Sequence, residues 1–175
     1  DAGAKGIVVP MVNSREEAEA AVAATRYFPD GNRGVGLGRA QGYGATFDQY
    51  KTWQVDGPVV VVQIEHLEAV DKLEEILSVP GVDAYMIGPY DLSGSMGIPG
   101  EFDSQEYIDI VENIKQAGER IGCPSGIHVV EPDKADFEDA LRAGFKFIAY
   151  SVDVRMLDKS ASDGVRFFRE SAVCL

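Results

Sequence analysis

The sequence predicts an α/β fold, and three observations carry that prediction. Short apolar runs alternate with longer segments of helical periodicity, giving five βα units that begin near Ile7, Val59, Ala84, Gly126 and Phe145. The clearest run, VVVVQIE (Val59 to Glu65), is continuously apolar over its first half, as expected of a strand covered on both faces in a parallel sheet. The intervals between runs are long enough for the crossovers that parallel strands require. Periodicity alone does not distinguish an open sheet from part of a barrel.

Taken in order, DAGAKG reads as a turn in which Gly3 and Gly6 permit conformations that stop a helix. IVVPMV is a short buried strand, with Pro10 near its C-terminal end, where ladder bonding stops. Ser14 and Glu17 have capping-box spacing ahead of a helix whose packing face is Ala18, Ala21, Val22 and Thr25. Phe28 to Asp48 carries six glycines and reads as a loop with some local order, followed by a short helix over Phe47 to Val55. After the Val59 strand, His66 to Val79 has the spacing of one amphipathic helix, broken by Pro80-Gly81. Ala84 to Ile87 is the next strand, and GPYDLSGSMGIPG is expected to be a loop. Ser104 to Ile121 is a helix with Tyr107, Val111, Ile114 and Ala117 on one face. GIHVV precedes a helix over Glu131 to Ala143, with Pro132 in its first turn, and FKFIAYSVD precedes a final helical pattern from Met156 to Ala172.

At 175 residues, nearly half of them hydrophobic, the chain can bury a core, and its length suggests one domain. A formal net charge of -13 argues against a broad nucleic-acid or anionic-membrane surface. It leaves room for an anionic small substrate, since a metal and local donors can invert the local field. Cys123 and Cys174 form no CxxC pair and fit a reducing, cytoplasmic compartment. No apolar run approaches the ~18 residues of a membrane span, and no secretory leader is visible.

Glu65 and Asp91 are the most informative pair. Each follows an apolar run, and parallel strands would bring both carboxylates to one edge of the sheet. Two acids at such an edge suit a hard cation, Mg²⁺ or Mn²⁺, with Co²⁺ also accommodated. Gln63, two residues before Glu65, shares its strand face. The bland alternatives are a helix-terminal acid for Glu65, a turn cap for Asp91 and a satisfied internal amide for Gln63. Arg33 and Arg39 suit either loop stabilisation or an anionic substrate. The glycines around them lack the context of a phosphate or dinucleotide loop. His66 and His128 read as ordinary hydrogen-bonded histidines, His128 being the better candidate for a pocket rim. Lys5 and Lys146 fall at strand beginnings, which disfavours Schiff-base chemistry.

The segments VPMVNSREEAEAAVAATRYFPDGNRGVGLGRAQGYG, VVVQIE and YMIGPYDLSGSMG together resemble the HpcH/HpaI aldolases over essentially the whole chain. The resemblance implies a TIM (β/α)₈ barrel of the phosphoenolpyruvate/pyruvate type, of which residues 1–175 would be a C-terminal portion of a single domain, strands four to eight with their helices. The family's acid-base dyad and a substrate-binding arginine would then lie in a preceding segment. Five of eight strands would leave two open sheet edges, so a partner or complementary segment is expected.

The resemblance also implies roles. Glu65 and Asp91 match the metal ligands. Gln63 matches a glutamine facing the pyruvate portion, a catalytic as well as substrate-binding position. Gly88, Pro89 and Tyr90 match the segment whose backbone approaches the substrate carboxylate. Pro89 has no N–H, so the donors there would be Tyr90 or Asp91. The implied activity is metal-dependent, reversible aldol cleavage of a 4-hydroxy-2-oxo acid, of the 2-keto-3-deoxy sugar acid type, to pyruvate and a small aldehyde. A homo-oligomer, specifically a hexamer, is the implied assembly. The alternatives are a CoA-ester lyase of the malyl- or citramalyl-CoA type, and an inert barrel fragment serving in assembly.

Overall fold

The computed structural model describes residues 1–172, in two compact units, Asp1–Ser125 and a second beginning at Gly126. In the first unit, β1 (Gly6–Val9), β2 (Val59–Ile64) and β3 (Ala84–Ile87) run parallel, in that order. Val8 pairs with Val61, and Gln63 with Met86. Val60, Val62, Ile64, Tyr85 and Ile87 are buried, as the continuous apolar run requires, whereas Ile7 and Val8 of β1 are exposed.

Helix α1 (Arg15–Ala23) begins where the Ser14 hydroxyl accepts the Glu17 amide at 3.2 Å, and the Glu17 carboxylate accepts the Asn13 amide at 2.6 Å. Ala18, Ala21, Val22 and Thr25 are all buried, as the spacing predicts. The glycine-rich segment contains a 3₁₀ turn over Arg39–Gly44, and α2 (Phe47–Trp53) follows it.

The single helix expected over His66 to Val79 is two short ones, α3 (Leu67–Val70) and α4 (Leu73–Leu77). Lys72, at φ -121° and ψ 17°, interrupts the helical backbone. Ala69, Val70, Leu73, Ile76 and Leu77 are nonetheless buried across the break.

The expected loop after β3 begins with a helix, α5 (Pro89–Ser95). Pro89 is tolerated at its first position, where the missing N–H has no helical partner to lose, and Leu92 and Ser93 are buried. Asp91 therefore sits on the first turn of a helix and not at a strand end.

Helix α6 (Gln105–Ile121) is capped by Ser104 and ends at Gly122, whose φ of 77° favours glycine. Gly118 is needed for a different reason: a Cβ there would stand 2.6 Å from the Tyr85 hydroxyl.

In the second unit, β4 (Ser125–Val129) and β5 (Phe147–Tyr150) are parallel, with Gly126 opposite Phe147. Helix α7 (Lys134–Arg142) starts later than expected. Asp133, not Pro132, forms its boundary, accepting the Ala135 amide at 2.7 Å. Helix α8 (Asp153–Ala172) follows β5. Arg155 near its start holds Glu131 through two bonds of 2.9 and 2.8 Å.

Candidate active site

Three segments of the first unit meet beyond the C-terminal ends of β1, β2 and β3. Glu65 directly follows β2 and is only 3% exposed. One of its carboxylate oxygens accepts the Met11 amide at 2.8 Å, and the other accepts the Gln63 side-chain amide at 2.5 Å. Met11 holds φ at +53°, an uncommon conformation for a residue with a side chain, just beyond β1.

Gly88 closes the cradle. A Cβ at residue 88 would lie 2.7 Å from Gln63 Nε2, 2.9 Å from Glu65 Cβ, and closer still to Glu65 Oε2. Its φ of -97° is open to any residue, so glycine is needed here for space and not for conformation.

The electrostatics of this group are unbalanced. Burial raises the pKa of Glu65, the Met11 amide opposes that rise, and the nearby Asp91 charge adds to it. Both hydrogen-bond donors to Glu65 are neutral, and among the described residues no ion pair reaches it. A buried carboxylate without a counter-charge is costly unless neutralised. A divalent cation shared with exposed Asp91 would provide that charge, so the two acids fit a hard metal.

Among the described residues no group of three or more His, Cys, Asp or Glu side chains could hold a metal. Two carboxylates would leave most of the coordination shell to water and substrate oxygens, the usual condition for Mg²⁺.

The remaining expected site residues sit beside this pair. Gly88 precedes the first residue of α5, Pro89 is that first residue, and Tyr90 is next and half-exposed. The Tyr90 and Asp91 amides belong to the first turn, which has no intrahelical acceptors.

Other candidates fall to structural roles. Arg33 lies over the Tyr27 and Tyr50 rings and donates to the Tyr50 hydroxyl and the Asp1 carboxylate, which stabilises the loop. Arg39 is exposed. His66 caps α3, its Nδ1 accepting the Glu68 amide. His128 lies in β4, opposite Ala149. Lys5, ahead of β1, has its ammonium over the Trp53 ring at 4.2 Å, and Lys146 immediately precedes β5. Cys123 is a free thiol, and Cys174 lies outside the described residues.

Sequence reasoning assigned no role to the Met11 amide or to Ser93. The first depends on a backbone angle that no residue type announces. Ser93 Oγ, buried, donates to the Tyr90 carbonyl at 3.1 Å and accepts the Gly100 amide at 3.0 Å, so it ties α5 to the loop after it.

Parallel βα units with a buried acid beyond their strand ends fit the (β/α)-barrel class of protein. Residues 1–159 match the model of the HpcH/HpaI aldolase/citrate lyase family, and the chain belongs to that family, one of divalent-metal aldolases and lyases. It is 36% identical over 171 residues to 2-keto-3-deoxy-L-rhamnonate aldolase of Escherichia coli, covering 97% of this chain and 63% of that protein. It is equally similar, at 36% over 171 residues, to hydroxypyruvate/pyruvate aldolase of Chromohalobacter salexigens, covering 97% of this chain and 66% of that one. The chain thus spans about two-thirds or less of the length of these relatives. The crystal structure of an HpcH/HpaI aldolase/citrate lyase family protein from Burkholderia cenocepacia superposes with a TM-score of 0.86 at 31% identity, covering 95% of this chain and 66% of that one. The fold therefore matches part of a (β/α) barrel. No described helix is long and apolar enough to cross a membrane.

Proposed function

We propose that the chain serves reversible, metal-dependent aldol cleavage of a 4-hydroxy-2-oxo acid, of the 2-keto-3-deoxy sugar acid type, to pyruvate and a small aldehyde. The observation that carries this reading is the buried Glu65 carboxylate, bonded only to neutral donors and set beside Asp91. Family membership and the similarity to a 2-keto-3-deoxy-L-rhamnonate aldolase and a hydroxypyruvate/pyruvate aldolase support it.

In this reading Glu65 and Asp91 would hold Mg²⁺ or Mn²⁺, which would supply Lewis-acid stabilisation of negative charge on the substrate's 2-oxo oxygen. Glu65 is kept in one orientation by Met11 and Gln63, so little reorganisation accompanies ligand binding. The Gln63 amide carries a second N–H, which can donate to the substrate's keto or enolate oxygen. Gly88 lets the backbone come close, and the first-turn amides of Tyr90 and Asp91 are the donors for the substrate carboxylate. The acid-base group is not assigned to His66, which is engaged as a helix cap.

Exposed Val154, Leu157, Phe167 and Phe168 on α8 support a homo-oligomer, a hexamer by family resemblance. The half-buried free thiol of Cys123 is consistent with a reducing, cytoplasmic setting.

The test is Mn²⁺ titration by calorimetry of the wild type, Glu65→Gln and Asp91→Asn, together with pyruvate release from 2-keto-3-deoxy-L-rhamnonate by the full-length protein. Each substitution should weaken Mn²⁺ binding and abolish turnover. Unaltered Mn²⁺ affinity in both variants would remove these residues from the metal site. Wild-type protein that releases no pyruvate from this or other 4-hydroxy-2-oxo acids would remove the aldolase reading.

A further inference from the structure

The glycine-rich segment between α1 and α2 carries the four most exposed large apolar side chains of the first unit. Phe28, Val35, Leu37 and Tyr43 are between 58% and 76% exposed, and no other large apolar side chain of that unit exceeds 54%. A segment so rich in glycine is ordinarily mobile. This one is fixed from within. Gln41 is fully buried, its side-chain amide donates to the Tyr27 hydroxyl, and its carbonyl oxygen accepts the Gly38 amide at 3.3 Å. The Tyr27 amide in turn donates to Gln54 of the next helix end at 2.7 Å. Main-chain bonds from Tyr43 to Gly38 and from Thr46 to Gln41, 2.9 and 3.0 Å, close the turn. Leu37 lies over Gly44, where a Cβ would already meet both of its methyl carbons at 3.6 Å. Leu37 and the chain at Tyr43 and Gly44 therefore form one surface, held in shape before anything docks on it.

A large apolar display on a rigid frame marks a contact surface, because the ordering cost of binding is already met. Its charge says what kind. Residues 31–47 contain Arg33 and Arg39 and no acid. Arg33 is paired with Asp1, whereas Arg39 is exposed and makes no ion pair among the described residues. The surface is thus apolar with one free cation, and its complement is apolar and acidic. This chain, at a net charge of -13, has such a surface itself. Residues 73–114 contain no lysine or arginine. Within them Glu101, Asp103, Glu106 and Asp109 are exposed, form no ion pair, and surround half-exposed Ile108 at the start of α6.

We infer that the Phe28–Gly44 segment docks on a second copy of this chain, with Leu37 and Tyr43 against Ile108 and Arg39 among Glu101, Asp103, Glu106 and Asp109. Two different patches of one chain meet in this contact, so it is head-to-tail and can close into a ring. It is separate from the apolar face of α8 and independent of the proposed reaction.

The experiment uses the full-length protein. Sedimentation velocity over a concentration series compares the wild type with Leu37→Asp, Arg39→Glu and Glu106→Lys, and with Lys51→Glu, an exposed charge reversal outside both patches. The first three should weaken assembly about tenfold or more, the scale of a truncated interface anchor, and Lys51→Glu should not. Thermal melts check that each variant is folded. A second measurement needs no disruptive substitution: p-benzoylphenylalanine replaces Tyr43 in isotope-labelled protein, which is mixed with unlabelled protein and irradiated. The cross-link should join a labelled to an unlabelled chain, at residues 101–112. A monomeric wild type, unchanged assembly in Leu37→Asp and Arg39→Glu, or an equal loss in Lys51→Glu would overturn the inference. A cross-link confined to one chain would also overturn it, since the segment would then be covered by its own protein, as would a cross-link to any other part of the second copy.

Discussion

Replacing Gly88 by alanine is the sharpest perturbation of the carboxylate cradle. The backbone accepts alanine, with φ -97° and ψ 96°, so only space is at issue. The new methyl would sit 2.7 Å from Gln63 Nε2 and 2.9 Å from Glu65 Cβ, inside the distance that such contacts tolerate. Either β3 must recede or the Gln63–Glu65 pair must move. Moving the pair strains the bonds that hold Glu65, 2.8 Å from the Met11 amide and 2.5 Å from Gln63. Overpacking of a filled interior costs about 1–3 kcal/mol. For a chain of this length, 2 kcal/mol corresponds to a fall in Tm of roughly 4–8 °C. Displacement of a ligand's supporting contacts lowers metal affinity by about 10–100-fold. The assay is thermal unfolding with and without Mn²⁺, backed by calorimetric titration. Gly94→Ala is the internal control: Gly94 lies in the same short helix α5, and a Cβ there meets nothing within 4 Å. It should leave stability unchanged or raise it by about 0.5–1 kcal/mol, the helix preference for alanine. If Gly88→Ala melts with the wild type and keeps the same Mn²⁺-induced shift, the cradle does not constrain Glu65.

Two further outcomes concern groups away from the cradle. Burial, with Asp83 adding to it, pushes the Cys123 thiol up to about 11. At pH 8 roughly one Cys123 in a thousand is then thiolate, so iodoacetamide followed by peptide mapping should find it unmodified in the native protein and modified after denaturation. Glu131 is held below the usual carboxylate range, first by its hydrogen bonds from Arg155. A carboxylate with a depressed folded pKa contributes stability above its unfolded pKa, here the ordinary value of 4.5, and loses it as pH falls through the depressed value. Glu131→Gln should therefore be less stable than wild type at pH 7, with the difference narrowing below about pH 4.5 in urea titrations. A gap that widens on acidification would contradict the pairing.

Most of the first unit was legible because its signals are local. The Val59 run announces a covered strand and Ser14 a helix start. Helix α5 was hidden because GPYDLSGSMG is rich in residues that usually break helices. What overrides them is tertiary: Leu92 and Ser93 are buried, and the serine bonds the loop that follows. The break at Lys72 was invisible for the opposite reason. The apolar residues on either side keep the same spacing, so periodicity has nothing to register. At the site, Gln63, Glu65 and Gly88 were identifiable as residue types, and the hydrogen bond between Gln63 and Glu65 follows from their shared strand face. The Met11 contact was not identifiable, since it joins residues 54 apart through a main-chain amide.

That Met11 contact has a consequence for how the site could diversify. The donor is backbone, so no side-chain atom of residue 11 enters the bond, and that side chain is exposed. Position 11 can therefore change character among residues that accept its φ of +53°, asparagine for instance but not a β-branched residue, without altering what orients Glu65. Selection, natural or in the laboratory, can vary the surface there while the hydrogen bond that orients Glu65 is inherited intact.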